Sequence, residues 1–157
     1  MSDSIKETIT KFLEARLRTI IEGGTVVTHT YTNTISYVDR QYYQFTEEDV
    51  LKQPMPWLIL NCEGEDFSPQ PSRRYDNTIL YQMVGFVQAT KESPNLDSMM
   101  NSLQKDILVA MLTDVNLSGL ASWITIRGIV TVSEMIWPYG GFIISLEVNY
   151  SFTGASV

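Results

Sequence analysis

Apolar residues recur at helical spacing through residues 4–22, where Ile5, Ile9, Phe12, Leu13, Leu17, Ile20 and Ile21 fall on one stripe. This spacing predicts an amphipathic helix with its stripe toward a core. Ser4 and Glu7 fit a capping box at its start, Glu7–Lys11 and Glu14–Arg18 fit favourable i,i+4 pairs on the wet face, and Gly23-Gly24 is the stop signal. The pattern then changes. Residues 25–46 are rich in Thr, Val, Tyr and Ile without strong alternation, which predicts a strand at 25–30 followed by an exposed hairpin or arm that covers 28–53. After the Pro54-Met55-Pro56 breaker, "WLILNC" reads as a short buried strand ended by the loop "EGEDFSPQPS".

"NTILYQMVGFVQA" (77–89) is apolar on both faces in its middle, which predicts a central strand covered on both sides. Ser93 and Pro94 are the start signals of a second helix whose stripe is Leu96, Met99, Met100, Leu103, Ile107 and Met111, with the methionines as core fillers. "SWITIRGIVTVSEMI" is strand-like, with Gly128 marking a bulge, and Pro138-Tyr139-Gly140-Gly141 is a turn into the last strand. There Phe142, Ile144, Leu146, Val148, Tyr150 and Phe152 alternate with Ile143, Ser145, Glu147, Asn149 and Ser151, so one face is apolar and the other mostly polar. So short a turn forces the last two strands antiparallel. The order predicts a single α+β domain over 1–157: a mostly antiparallel β-sheet with two amphipathic helices packed on one face.

The net charge of −7, from 18 acidic and 11 basic residues, argues against a protein that grips phosphate backbones, and only Arg73 and Arg74 are adjacent bases. The apolar runs fall far short of the ~18 residues a membrane helix needs. "MSDSIKETITK" carries no secretory pattern, so the expected location is the cytoplasm. The single cysteine, Cys62, has no partner in the chain and reads as a small core hydrophobe. The single histidine, His29, has no Cys or second His nearby and reads as a structural or surface residue. Glu63, Glu65 and Asp66 lack the ligand spacing of a calcium loop and read as solvated loop carboxylates, as do Glu47, Glu48 and Asp49. Neither a nucleophile elbow nor a phosphate-binding loop motif occurs, so the expectation is no enzyme, no cofactor and no metal.

Aromatic residues carry more information. Four of the eight tyrosines, Tyr31, Tyr37, Tyr42 and Tyr43, precede Phe45 within the arm. Such residues suit either a subunit or partner interface or a Tyr-rich strand of the sheet. Trp137 and Tyr139, at the last turn, suit either a second contact or local packing.

In order and texture the chain resembles the tail-terminator, or tail-completion, proteins of long-tailed bacteriophages. The likeness is carried by the first helix, "PMPWLILNCEGEDF", "NTILYQMVGFVQA", "NLDSMMNSLQKDILVAML" and "MIWPYGGFIISLEVNYSF", and spans nearly the whole chain. Within it, Pro56–Asp66 matches a proline-led strand ending in an acidic turn, Leu103–Ile107 an "L-x-x-D-I" helix segment, and Val148–Tyr150 an apolar-x-Tyr strand end. The resemblance implies a virion structural protein without catalytic residues. Copies of it form a hexameric ring that caps the tail tube, ends tube polymerisation and offers a surface to the neck or head. It further implies as partners the chain itself, the tail tube protein, neck or head–tail connector proteins and the sheath, with assembly in the host cytoplasm and residence at the tail–neck junction. DNA would pass through without specific binding, which an acidic lumen favours because carboxylates repel phosphates. Three other functions stay open. They are another neck or head-completion protein, a monomeric α+β binding module with an aromatic-lined pocket, and a hydrolase pairing His29 with a carboxylate near a serine or Cys62.

Overall fold

A computed structural model describes residues 3–40, 54–92, 94–114, 117–132, 135 and 137–153. The first element, α1, is Ile5–Arg18. Its N-terminus is capped as the sequence predicts, with the Ser4 hydroxyl accepting from the Glu7 amide at 3.1 Å. It stops four residues earlier than expected, because Thr19 and Ile20 close the last turn onto Arg16 and Leu17. The Gly23-Gly24 pair therefore serves the following turn, where Gly23 adopts a positive φ of 84°. Of the two predicted i,i+4 pairs, Glu14–Arg18 is made at 2.9 Å. Glu7 instead takes both arms of the Arg40 guanidinium at 2.9 Å each, and Lys11 turns to Asp3. A planar fork matches a carboxylate better than a lysine one turn away.

Thr25–Val26 (β1) and His29–Thr30 (β2) make a small separate hairpin where one strand was expected. Tyr37–Asp39 (β3), Trp57–Pro69 (β4), Arg74–Gln88 (β5), Trp123–Thr131 (β6) and Tyr139–Thr153 (β7) form one sheet in the order β3-β4-β5-β7-β6. Among the described residues only the β3–β4 pairing is parallel. β5 is central, as its composition predicts, and β6 and β7 are antiparallel. A register shift between Ile126 and Gly128 is the predicted bulge.

β4 corrects the sequence reading. It does not end at Cys62 but passes through a bulge between Cys62 and Gly64 and continues to Pro69. Pairing to the long β5 outweighs the poor strand propensity of "EGEDFSP". The second helix, α2, is Leu96–Leu112, capped by the Asn95 side chain accepting from the Ser98 amide at 3.1 Å. The cap is thus Asn95, two residues beyond Ser93, which lies outside the described residues. Asn95 is as good a cap, and it leaves Pro94 ahead of the helix.

Both helices pack on one face of the sheet. Ile9, Leu13 and Leu17 of α1 and Leu103, Ile107 and Met111 of α2 share a core with Ile79, Tyr81 and Met83 of β5 and with the whole predicted row Phe142–Phe152 of β7. Contact is close enough that a Cβ at Gly85 would meet the Phe142 ring at 2.5 Å. Met100 and Met111 are buried core fillers.

Two buried polar clusters tie elements together within this layer. The Asp106 carboxylate of α2, almost wholly buried, meets His29 Nε2 at 2.7 Å. Its other oxygen accepts from the Thr32 and Asn33 amides at 3.0 and 2.9 Å and from Asn33 Nδ2 at 2.8 Å. The one histidine therefore clamps the β1–β2 hairpin to α2. In the second cluster, the Tyr150 hydroxyl donates to Glu65 at 2.6 Å, Asn77 Nδ2 lies 3.0 Å from that hydroxyl, and Lys6 reaches Glu65 at 3.4 Å. Glu65 is consequently a partnered strand residue and not a solvated loop carboxylate. Glu63 and Asp66 are also on the strand, and both are exposed.

Candidate interface surface

Residues directly opposed across a sheet share a face. On the side away from the helices, β5 presents Thr78, Leu80, Gln82, Val84 and Phe86. These lie opposite Asn149, Glu147, Ser145, Ile143 and Gly141 of β7. β4 adds Trp57, Ile59, Asn61 and Asp66, and β6 adds Trp123, Thr125 and Val130. Among the described residues no helix covers this face, and most of its β5 and β7 side chains are only half-buried.

The surface is divided. At one corner Trp57 stacks on Phe86 with ring centroids 4.8 Å apart, joined by Ile59 and backed by Met55, Val84 and Met135. Trp57, Phe86 and Ile59 are all buried within the subunit, so this corner is a second small core and not a contact surface. Across the middle the groups are polar and paired. Thr78 Oγ1 donates to Asn149 at 2.7 Å, and Arg127 reaches Glu147 at 2.6 Å. Along the β6 border Trp123 is 55% exposed and Val130 63% exposed. A protein interface combines the same ingredients: an exposed aromatic anchor such as Trp123, polar groups already satisfied and a mixed rim.

The predicted aromatic residues separate on this structure. Tyr31 is buried, 2% exposed and edge-on to His29 with centroids 5.7 Å apart, so at that residue an exposed arm is incorrect. The Asp106 clamp holds the backbone just after it against α2, and Val38 and Asp39 are buried as well. Tyr37 belongs to β3 and leans on Trp57 at 6.3 Å, at the rim of the open face. Tyr42, Tyr43 and Phe45 lie outside the described residues, with Glu47, Glu48, Asp49 and the rest of the arm to residue 53. Trp137 is 67% exposed at the turn, whereas Tyr139 is half-buried and opens β7 opposite Gln88. Trp123 and Val130 were missed. Their sequence, "WITIRGIV", reads as a strand either way, and only the edge position of β6 leaves them uncovered.

On the helix-covered side a cleft of about 270 Å³ opens beside the start of α1, lined by Ser4, Lys6, Glu7, Thr10, Arg40, Leu60, Asn61 and Cys62. Hydrogen bonding to Arg40 holds the Glu7 carboxyl below the usual carboxylate range. Burial, opposed by the Thr10 hydrogen bond, pushes the Tyr81 phenol up. Burial and then the bond to Glu65 push the Tyr150 phenol up to about 12. Cys62 is half-buried against the core, its sulfur 3.7 Å from the Gly64 carbonyl oxygen. Among the described residues no group of three or more His, Cys, Asp or Glu side chains converges as a metal site would, and no described helix is long and apolar enough to cross a membrane. Compared with family models and with curated proteins, the chain matches none.

Proposed function

We propose that this chain is a tail-terminator protein of a long-tailed bacteriophage, a structural subunit that assembles into a hexameric ring on the end of the tail tube. The observation that carries the reading is the face of a five-stranded sheet that no helix covers among the described residues, with satisfied polar groups across its middle and exposed Trp123 and Val130 at its border. A monomer leaves such a surface in water; a ring subunit buries it against neighbours or the tube. The α+β order and the acidic balance of the chain support the same reading. In it the ring halts tube polymerisation and receives neck or connector proteins, with DNA passing through a lumen it does not grip.

Light scattering on the purified protein, followed by co-sedimentation with tail tubes, tests the reading. A ring of subunits that pellets with tubes and stops their growth is the expected result. A protein that neither associates with itself nor with tubes overturns it.

A further inference from the structure

The sheet ends on β6, a border of nine residues, Trp123–Thr131, beside which no strand lies among the described residues. Residues 41–53, the longest stretch outside the described residues, connect β3 to β4, the two strands of the opposite border. An unpaired strand offers a row of amide donors and carbonyl acceptors to a partner, and proteins usually guard such a row with charge or proline. β6 has no proline and no acid. Its one base, Arg127, is already matched to Glu147 of its own sheet at 2.6 Å.

We infer that β6 pairs antiparallel with β6 of a second copy about a twofold axis, joining two five-stranded sheets into one in the free protein. Face and register carry the inference. Trp123, Thr125, Gly128 and Val130 lie opposite Asn149, Glu147, Ser145 and Ile143, the open row of β7. Ile124, Ile126, Ile129 and Thr131 lie opposite Val148, Leu146, Ile144 and Phe142, the covered row. Seven positions apart in a regular strand, Trp123 and Val130 would point to opposite faces. The bulge between Ile126 and Gly128 brings both to the open face. A twofold between Ile126 and Arg127 therefore sets Trp123 of each copy against Val130 of the other on one face, and Ile124 against Ile129 on the other. Trp123 and Val130 are the strand's most exposed large apolar side chains, at 55% and 63%, and Ile129 is exposed too. A cross-strand pair of an aromatic with a β-branched residue stabilises a sheet.

Charge is compatible with a second copy at this border. In a chain with 18 acidic and 11 basic residues, two copies repel wherever carboxylates face each other, and β6 is a border without one. Each Arg127 comes near the axis with its own Glu147 attached, so no uncompensated charge opposes the contact. An isologous contact closes on itself at two subunits. The pairing goes beyond the proposed ring and bears on it: the dimer covers Trp123 and Val130, so a copy held in it has to part before a ring neighbour or the tube takes the same border.

Light scattering over a range of concentrations, without tubes, should give a mass that rises from one subunit to two and stops there. Trp123→Lys and Val130→Glu each set a charge against an apolar side chain at both ends of the pairing, and each should weaken association about tenfold. The double variant Trp123→Lys/Val130→Glu should restore it, because the base introduced at position 123 of one copy then faces the acid introduced at position 130 of the other. Within one copy those positions sit at opposite ends of β6, so rescue reports contact between copies. Thermal melts check that the variants fold; where one does not, Trp123→Ala and Val130→Ala take their place, each with several-fold weaker association expected. Three results overturn the inference: a wild type that stays monomeric or passes straight to larger assemblies, folded single variants that associate like wild type, or a double variant no better than the single ones. Tail tubes separate the pairing from the proposed function. A dimer that never pellets with tubes overturns the ring and leaves the pairing, and rings formed on tubes by a protein that is never dimeric do the reverse.

Discussion

The two faces of the sheet are built from the same strands yet follow different rules. Along β5, Asn77, Ile79, Tyr81 and Met83 are buried beneath the helices, while the alternating Thr78, Leu80, Gln82 and Val84 are half-buried on the open side. Along β7, the alternating row from Phe142 to Phe152 is buried, and the row from Ile143 to Ser151 is not. The difference shows where stability resides. The covered row defines the fold through burial and clamped polar groups, and the open row keeps its hydrogen bonds on the surface. Substitutions should therefore be costly on one side and mild on the other, even a single residue apart.

The largest contrast is expected between two polar sites. Asp106→Ala removes the acceptor for His29, for the Thr32 and Asn33 amides and for Asn33 Nδ2 together. Leaving four partly buried donors unmatched at once should cost about 3–5 kcal/mol in urea unfolding. Thr78→Ala, which deletes the hydroxyl bound to Asn149 on the open face, should cost roughly 1 kcal/mol or less because water replaces the partner. A Thr78→Ala loss equal to that of Asp106→Ala would mean that the open face is structural too.

How much of this contrast the sequence displayed depends on the period of each segment. The alternation of β7 and the stripes of α1 and α2 are long and regular, so their buried faces were legible residue by residue. Leu103 and Ile107 were readable as core, but Asp106 between them was not singled out. A carboxylate in an amphipathic helix gives no sign that it accepts four bonds from a loop more than seventy positions away. The extension of β4 through "EGEDFSP" was hidden for a related reason. Glycine, acids and proline spell a loop locally, and the strand exists because β5 pairs with it along its whole length. Tyr31 was misread because its burial comes from that same clamp and not from any alternation in its own segment. The open face was partly visible in the polar row of β7, but its exposed border at Trp123 and Val130 depended on which strand ends the sheet.

A second comparison isolates burial from bonding. Ile144→Ala, under the helices, should cost about 2–5 kcal/mol, because it opens a cavity in a layer with no slack. Its neighbour Ile143→Ala, on the open face, should cost well under that, about 1 kcal/mol, since its side chain is only half-buried in the isolated subunit. If Ile143 faces a partner as proposed, the same substitution should weaken assembly more than it weakens folding. The pair is read by denaturant midpoints at low protein concentration and by association at high concentration.

The smallest effect concerns pH and the covered face alone. The Tyr150 phenol, on the covered side, is held at about 12 by burial and by the neighbouring Glu65. In the unfolded chain a tyrosine ionises near ~10. Because the folded value is the higher one, the unfolded state releases its proton first as pH rises. The stability held by the neutral phenol is complete below about pH 10 and falls progressively between about 10 and 12. Tyr150→Phe should remove that part of the alkaline decline while lowering stability modestly at neutral pH, through the lost bonds to Glu65 and Asn77. Stability of the wild type and of Tyr150→Phe measured from about pH 8 to 12 decides it, and the same alkaline decline in both would show that the covered face does not hold its phenol as this geometry requires.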